Sequence, residues 1–327
     1  MDMNRIKIGL VGLGTAGMRH ATAIRKSADA EIVGVADPAP NAVQSAASLQ
    51  VPCWTDYATM LREAASDAVV ISLPHYLLAD AARTAAVQHK HILLEKPMSI
   101  TVDDARDVVR ACDAAQVKLM VNFVHRFRAE SRQAFDAIRS GAIGNVLLLV
   151  DMMASGYSQM PPWIWQRERS GGGIMMYNGV HSVDRLIWLA GERVRQVTAA
   201  SGTLAHPVEV EDSLVGTLQF ENGALGAIVQ HKSQAQVMLG GWQTTVYGTT
   251  GSLKFTTGEG LEIASEKEQV SSTTREDDRF LGAFQEFIAA IRQDRAPSPS
   301  GADAVHALAT VFALYEAATT GRRVAVG

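Results

Sequence analysis

Short apolar runs alternate with alanine-rich, helix-like stretches between residues 6 and 122. The runs occupy residues 6–12, 31–37, 68–74, 91–95 and 118–122. Strands that are apolar on both faces are typical of a parallel sheet covered by helices, and the alternation predicts βαβ units. Thr101 followed by Asp104 resembles a capping box at the start of a further helix. The pattern predicts an α/β domain over 1–122, with a doubly wound parallel sheet of the Rossmann type.

The pattern changes after residue 122. A helix around 129–141 leads to an apolar run at 145–155, and a further helix at 180–191 precedes strand-like runs in which apolar and polar positions alternate. Leu214 and Leu218 share one face of such a strand. Asn222-Gly223 is a hairpin signal, and two helical patterns close the chain. The sequence therefore predicts a second domain, 123–327, of the α+β type with a large, mostly antiparallel and open-faced sheet.

Composition is that of an ordinary globular protein and excludes several classes of partner. The 327 residues exceed one typical compact core, 47% are apolar, 20% are charged and the net charge is −4. No basic run would gather nucleic acid, and no apolar run reaches the roughly 18 residues of a membrane span. We expect no nucleic-acid or membrane partner. The first residues lack the apolar core of a signal peptide, which favours the cytoplasm.

A glycine-rich turn follows the first predicted strand. Gly12, Gly14 and Gly17 form a G-x-G-x-x-G motif that leads into a predicted helix. The first glycine allows a tight turn, the second lets the backbone approach a pyrophosphate, and the third lets helix and strand pack closely. Because a helix N-terminus offers unpaired N–H groups to phosphates, the motif predicts dinucleotide binding. A glycine turn without a nucleotide is the alternative.

An acidic residue ends the second predicted strand. Asp37 lies 20 residues after Gly17, where a carboxylate would bind the ribose hydroxyls of the adenosine half of a dinucleotide. Residues 38–41 include no Arg or Lys that would accept a 2′-phosphate. The sequence therefore predicts NAD as the cofactor in preference to NADP. A carboxylate that only caps the strand end is the alternative.

The apolar run at 91–95 ends in Glu95-Lys96-Pro97. Ligands of open parallel sheets bind outside the carboxyl ends of the strands, so these residues are expected on the cofactor side. There Lys96 would hydrogen-bond a substrate hydroxyl or carbonyl, with its pKa lowered by burial or by a positive nicotinamide. Pro97 would fix the turn that aims it, and a cis bond is one way to do so. A solvated lysine is the alternative.

These residues, together with a later segment, carry a resemblance to a known family. Residues 171–184 contain three glycines followed by a G-x-H-x-x-D pattern that includes His181 and Asp184. With the G-x-G-x-x-G and the E-K-P, this series of motifs resembles the Gfo/Idh/MocA oxidoreductases over most of the chain. The resemblance implies an NAD(P)-dependent dehydrogenase or reductase of sugars, inositols and related polyhydroxy compounds. It assigns the catalytic lysine to Lys96 and implies a cis bond before Pro97.

The resemblance also covers the neighbourhood of His181. It implies that His181 is a catalytic acid, base or substrate ligand. Many members have an aspartate four residues earlier, but this chain has Tyr177. A phenol can donate a hydrogen bond or relay a proton, but it cannot hold His181 as an anion would near pH 7. A structural histidine and a space-filling tyrosine are the alternatives. Asn178, in the same segment, is a candidate substrate ligand.

Further candidates follow the predicted strands. Pro74 and His75, with Glu95, are candidate cofactor contacts, although a solvated loop histidine fits His75 equally well. The resemblance places a polar residue and an arginine near the substrate at Asn122 and Arg126.

Aromatic residues and histidines complete the set of candidates. Trp163 and Trp165 would stack on the C–H faces of a sugar, with oligomer contact or core packing as the alternative. Four other histidines have no spacing that suggests a metal site, and neither have the two cysteines. We regard these histidines as structural: His125, His206, His231 and His306.

The sequence thus predicts hydride transfer between NAD and a small polyhydroxy substrate, with Lys96 and His181 handling the proton. One alternative is a hydrolase or lyase that oxidises its sugar transiently. Another is a non-catalytic NAD-binding sensor. Proteins that resemble this chain associate through the open face of the second sheet, which implies a homodimer or homotetramer.

Overall fold

The protein is described from a computed structural model, which covers residues 5–156, 160–235, 241–266, 269–273 and 278–327. The chain divides into two compact units. The first comprises Met1–Val124 and Phe280–Val305, and the second comprises His125–Arg279 and His306–Gly327. No helix in these described ranges is long and apolar enough to cross a membrane.

The segment 280–305 packs with the first unit, whereas we expected it within a domain over 123–327. Arg292 Nη1 donates to Asp29 Oδ1 at 2.5 Å, and the Val121 N–H donates to the Pro299 carbonyl oxygen at 3.4 Å. These partners lie far apart in sequence, so no local pattern encodes the contacts. The division into a cofactor domain and a substrate domain stays a prediction about function.

A six-stranded parallel sheet forms the first unit, with the order β3-β2-β1-β4-β5-β6. Its strands are β1 (Ile6–Val11), β2 (Ala30–Ala36), β3 (Cys53–Trp54), β4 (Ala68–Ile71), β5 (His91–Leu94) and β6 (Leu119–Val121). The helices between them are α1 (Thr15–Lys26), α2 (Ala42–Leu49), α3 (Tyr57–Glu63), α4 (His75–Val87) and α5 (Val102–Ala114). This is the doubly wound order, with its switch point between β1 and β4. The Rossmann prediction is confirmed, although the two-residue β3 was not predicted.

The second unit contains a nine-stranded sheet, within the described residues, of order β14-β13-β12-β11-β7-β10-β9-β8-β15. Its strands are β7 (Val146–Ser155), β8 (Val194–Gly202), β9 (Ser213–Phe220), β10 (Leu225–Lys232), β11 (Gly241–Gly248), β12 (Gly251–Thr256), β13 (Gly260–Ser265), β14 (Gln269–Thr273) and β15 (Val324–Ala325). The helices that follow β6 in the chain are α6 (Ala129–Arg139), α7 (Arg167–Ser170), α8 (Val180–Ala190), α9 (Arg279–Arg292) and α10 (Gly301–Thr320). Among the described strands of this sheet, only β7 and β10 pair in parallel, so the mostly antiparallel sheet is confirmed.

The two faces of this second sheet differ. Leu214, Leu218 and Phe220 of β9 are buried as their alternation predicts, and α8 packs on β7 and β10. The opposite face, called the open face below, exposes large apolar side chains. Those between 36% and 56% exposed are Leu148, Met152, Val215, Leu225 and Tyr247. The predicted open-faced sheet is therefore present.

Candidate active site

The glycine loop joins β1 to α1 and has the shape that a pyrophosphate needs. Gly12 has a φ of +89°, and a Cβ there would lie 2.1 Å from the Ser72 carbonyl oxygen. A Cβ on Gly17 would lie 2.0 Å from the Gly12 carbonyl oxygen, whereas one on Gly14 would meet nothing within 4 Å. Helix α1 begins without a side-chain cap, so its first N–H groups are available to an anion. The loop fits a dinucleotide phosphate on the open side of Gly14.

Asp37 is held beside this loop. The Leu13 N–H donates to Asp37 Oδ2 at 2.7 Å, and the Ala39 N–H donates to Asp37 Oδ1 at 2.8 Å. A carboxylate has about four acceptor positions, so both oxygens keep capacity for ribose hydroxyls. Asp37 therefore caps the turn after β2, as the structural alternative proposed, and it still fits the cofactor.

Lys96 lies two residues after the end of β5 and is joined to Pro97 by a cis peptide bond, as the resemblance implies. The lysine side chain is half-buried. Burial lowers the pKa of Lys96 to about 8, and the negative charge of Glu95 offsets part of that effect. An amine with this pKa can give or take a proton near neutral pH, which suits acid–base chemistry.

Two buried side chains hold Glu95. His20 Nε2 lies 2.9 Å from Glu95 Oε1, and Asn122 Nδ2 donates to the same oxygen at 2.7 Å. Burial favours the neutral carboxyl, but the hydrogen bond and charge of His20, the charge of Lys96 and the hydrogen bond from Asn122 together lower the pKa of Glu95. Glu95 therefore stays an anion beside Lys96.

This network changes the interpretation of two residues. Asn122 was expected to bind substrate, but it is only 1% exposed and its amide supports Glu95. His20 was not predicted at all. It lies with Gly17, Ala21 and Ile24 on the buried face of α1, and a histidine within an otherwise small or apolar helical face was the available signal.

Pro74 and His75 lie where α4 begins after β4. Strands β1 and β4 are neighbours, so the glycine loop and these two residues follow adjacent strands at the switch point. His75 is 4% exposed, which excludes the alternative of a solvated loop histidine. A cofactor contact stays a prediction for both residues.

His181 lies at the start of α8, immediately after a π-helical turn over Met175–Gly179. Such turns are frequent at functional sites. His181 is 6% exposed, and Tyr177 and Asn178 are half-buried. The His125 ring, which we regarded as structural, stacks on His181 with centroids 4.4 Å apart and planes 19° apart.

The three-glycine run packs against a buried carboxylate. The N–H groups of Gly173 and Met175 donate to Glu211 at 2.8 and 3.0 Å, and the Tyr315 hydroxyl donates to it at 2.7 Å. Burial raises the pKa of Glu211, and these hydrogen bonds oppose the rise. A Cβ on Gly173 would lie 1.8 Å from the Glu211 carbonyl oxygen. The absence of a side chain at Gly173 therefore lets Glu211 approach and accept hydrogen bonds from the N–H groups at the start of the π-helical turn. Glu211 lies far from this turn in the sequence, so its role was not predicted.

Arg126 is paired rather than open to a ligand. Its Nε and Nη2 donate to the two carboxylate oxygens of Asp184 at 2.9 and 2.5 Å, and the residues are 6% and 1% exposed. The substrate contact expected of Arg126 is therefore not favoured by this geometry. Trp163 and Trp165 are half-buried in a 3₁₀ turn, and Trp165 stacks on His206 with centroids 5.0 Å apart. Sugar stacking stays a prediction.

The candidate residues fall into two groups. The first unit holds Gly12, Gly14, Gly17, Asp37, Pro74, His75, Glu95, Lys96 and Asn122. The second unit holds Arg126, Trp163, Trp165, Tyr177, Asn178 and His181.

Comparison with known proteins matches both parts of the chain to family models. Residues 6–123 match a model described as an oxidoreductase family with an NAD-binding Rossmann fold. Residues 131–254 match the model of the GFO/IDH/MocA C-terminal domain.

Individual relatives support the same assignment. The chain is 30% identical to 1,5-anhydro-D-fructose reductase of Ensifer adhaerens, with 78% of each protein covered. It is 27% identical to inositol 2-dehydrogenase of Rhizobium meliloti, over 98% of this chain and 99% of that one. An oxidoreductase from Agrobacterium radiobacter, solved in complex with NAD+, L-tartaric acid and magnesium, shares the fold with a TM-score of 0.92 at 22% identity over 99% of each chain.

Proposed function

Since the chain belongs to the Gfo/Idh/MocA family of oxidoreductases, we propose that it transfers a hydride between NAD and a hydroxyl or carbonyl group of a sugar, inositol or related polyhydroxy compound. Its broader class, an NAD(P)-dependent oxidoreductase that acts on CH–OH groups, follows from the family and its relatives. The observation that carries the proposal is Lys96. Lys96 lies two residues after the end of β5, in the unit that bears the glycine loop, and its pKa is lowered to about 8.

The glycine loop and Asp37 are the residues that we assign to the cofactor. When bound, NAD supplies the hydride acceptor for oxidation of an alcohol. The free N–H groups at the start of α1 would hold its phosphates. A 2′-phosphate would bring negative charge to Asp37, and residues 38–41 provide no cation to balance it. This charge pattern supports NAD over NADP.

Lys96 and His181 are the residues that we assign to proton transfer. With a pKa of about 8, roughly a tenth of the Lys96 side chains are neutral amines at pH 7. A neutral amine can accept the proton of a substrate hydroxyl, and the ammonium can return it to a carbonyl. We assign Tyr177 a hydrogen bond to substrate or a proton relay with His181.

A substrate screen tests the proposal and separates it from the two alternatives. Monosaccharides, inositols and sugar acids are supplied with NAD or NADP, and absorbance of the reduced cofactor is followed while product is analysed. We expect net NADH with at least one substrate. Product without net NADH would indicate transient oxidation by a hydrolase or lyase. Binding of NAD without any turnover would favour a sensor and contradict the proposal.

We propose further that the open face joins copies of this chain as a homodimer or homotetramer. The exposed side chains of Val215 and Leu225 support this proposal, because large apolar side chains in one patch favour association. Light scattering tests this. The unchanged chain should have the mass of an oligomer, and Val215→Lys with Leu225→Glu should reduce that mass. A monomeric unchanged chain would refute the assignment.

A further inference from the structure

The ring of His125 is enclosed on two sides by aromatic groups of the second unit. It stacks on His181 as described, and its centroid lies 4.4 Å from that of Trp242, with planes 54° apart. His125 and His181 are 8% and 6% exposed. Neither ring can turn without displacing packed neighbours, so their mutual orientation is set by the fold.

Arg185 determines the protonation of His125. Its Nη2 lies 2.5 Å from His125 Nδ1. A guanidinium carries only donors, so Nδ1 must be the acceptor and the ring proton must lie on Nε2. An imidazolium would present an N–H at Nδ1 and collide with the arginine donor. Arg185 is fixed in turn, since it donates to Asp151, Thr244 and Thr257 at 3.2, 2.9 and 3.2 Å.

Charged groups around this arginine keep it in place. Asp151 is fully buried and also accepts from the Trp242 indole at 3.0 Å. Arg128 and Glu130 are the other charges that act on Arg185. Arg128 repels the cation and Glu130 attracts it, while the hydrogen bonds to Asp151 of β7 and Thr244 of β11 hold it beside His125.

We propose that His125, kept neutral by Arg185, is the positioning residue for His181. The residue one turn before His181 is Tyr177, so no carboxylate anchors the ring from that side. The stack supplies the orientation instead. Because His125 cannot take a proton, His181 is the member of the pair that we assign to proton transfer in the proposed reaction. The consequence for catalysis rests on the proposed function, whereas the protonation states do not.

Nuclear magnetic resonance of the whole protein tests the protonation states without substrate. Nitrogen shifts of labelled histidines should show His125 with its proton on Nε2 throughout about pH 5 to 9, while His181 takes up a proton. A second proton on His125 in that range would overturn the proposal. The measurement needs no variant, so a folding defect cannot leave it undecided.

His125→Asn then tests positioning, because its amide oxygen can still accept from Arg185 while the stack is lost. We expect the titration midpoint of His181 to move and kcat to fall about tenfold or more, with NAD affinity within about twofold of the original. His231→Asn, the same change at a half-buried histidine of β10, should leave both the titration midpoint of His181 and kcat unchanged. An unchanged His181 titration in His125→Asn would overturn the proposal. Altered titration in a protein that turns over no polyhydroxy substrate would uphold positioning and refute only the proposed function.

Discussion

Replacing Lys96 with methionine should stabilise the folded protein at neutral pH. The pKa of Lys96 is about 8, against an ordinary value of 10.5. At about 1.4 kcal/mol per pKa unit, the difference corresponds to roughly 3 kcal/mol by which the folded chain disfavours the charged amine. Methionine has a similar length and no charge, so Lys96→Met removes this cost and should raise the free energy of unfolding by up to about 3 kcal/mol at pH 7.

The pH dependence identifies the cause. Below pH 8 the folded and unfolded chains both hold the Lys96 proton, and the folded chain bears the whole cost. Between about pH 8 and 10.5 the unfolded chain keeps the proton that the folded chain has lost, so the free energy of unfolding rises with pH. The advantage of Lys96→Met should therefore fall to less than half by about pH 9.5.

Urea unfolding at pH 7 and 9.5 measures the stability gain of Lys96→Met at pH 7 and its decrease at higher pH. Lys254→Met is the matched control, because Lys254 lies on β12 with its side chain 41% exposed and pairs with Glu262 at 3.0 Å. An advantage of Lys96→Met that does not change with pH, or no advantage at pH 7, would refute the assignment of the lowered pKa to burial. The same variant should bind NAD normally and lose turnover by about 10²-fold or more, as expected when a proton-transfer group is removed.

Three further predictions concern the cofactor, the second unit and the glycine run. Asp37→Ser combined with Pro38→Arg should narrow or reverse a preference for NADH in fluorescence titrations, and tighter NADPH binding by the unchanged chain would contradict the role of Asp37. Tyr177→Phe should slow turnover roughly two- to twelvefold, the worth of one neutral hydrogen bond; a loss near 10²-fold would indicate proton relay, and no loss beside a severe one in His181→Ala would show that the tyrosine only fills space. Gly173→Ala should lower the free energy of unfolding by about 1–3 kcal/mol, because its Cβ would lie 1.8 Å from a backbone carbonyl oxygen, and unchanged thermal stability would refute this.

Local pattern was sufficient for most of the fold. Apolar runs predicted five strands of the first sheet, and Gly223, with a φ of 90°, forms the predicted turn between β9 and β10. Strand β3 has only two residues, too few for any period to show. Two features depend on contacts between residues that are distant in sequence, which periodicity does not encode. They are the parallel pairing of β7 with β10 and the packing of segment 280–305 with the first unit.

The candidate site was predictable where the chemistry is local. The glycine loop, Asp37 and Lys96 each follow the end of one strand, so their positions could be predicted from that strand alone. The structure shows room for a phosphate at Gly14, a carboxylate at Asp37 with acceptor capacity left, and a lowered pKa at Lys96. The resemblance placed Arg126 near the substrate, and its pairing with Asp184 could not be inferred because that residue lies 58 positions away. Glu211 was missed and His125 was regarded as structural for the same reason, since the contacts of both residues come from other elements.

The return of 280–305 to the first unit has a consequence for how this protein is made. A ribosome releases β1 to β6 early, but Phe280, whose ring packs edge-on against His20 at 4.9 Å, emerges only after almost all of the second unit. During that interval the nascent chain carries a glycine loop and Lys96 on a sheet whose outer packing is incomplete. A translation product that stopped before residue 280 would lack this packing, and we expect proteases to cut it faster than the whole chain.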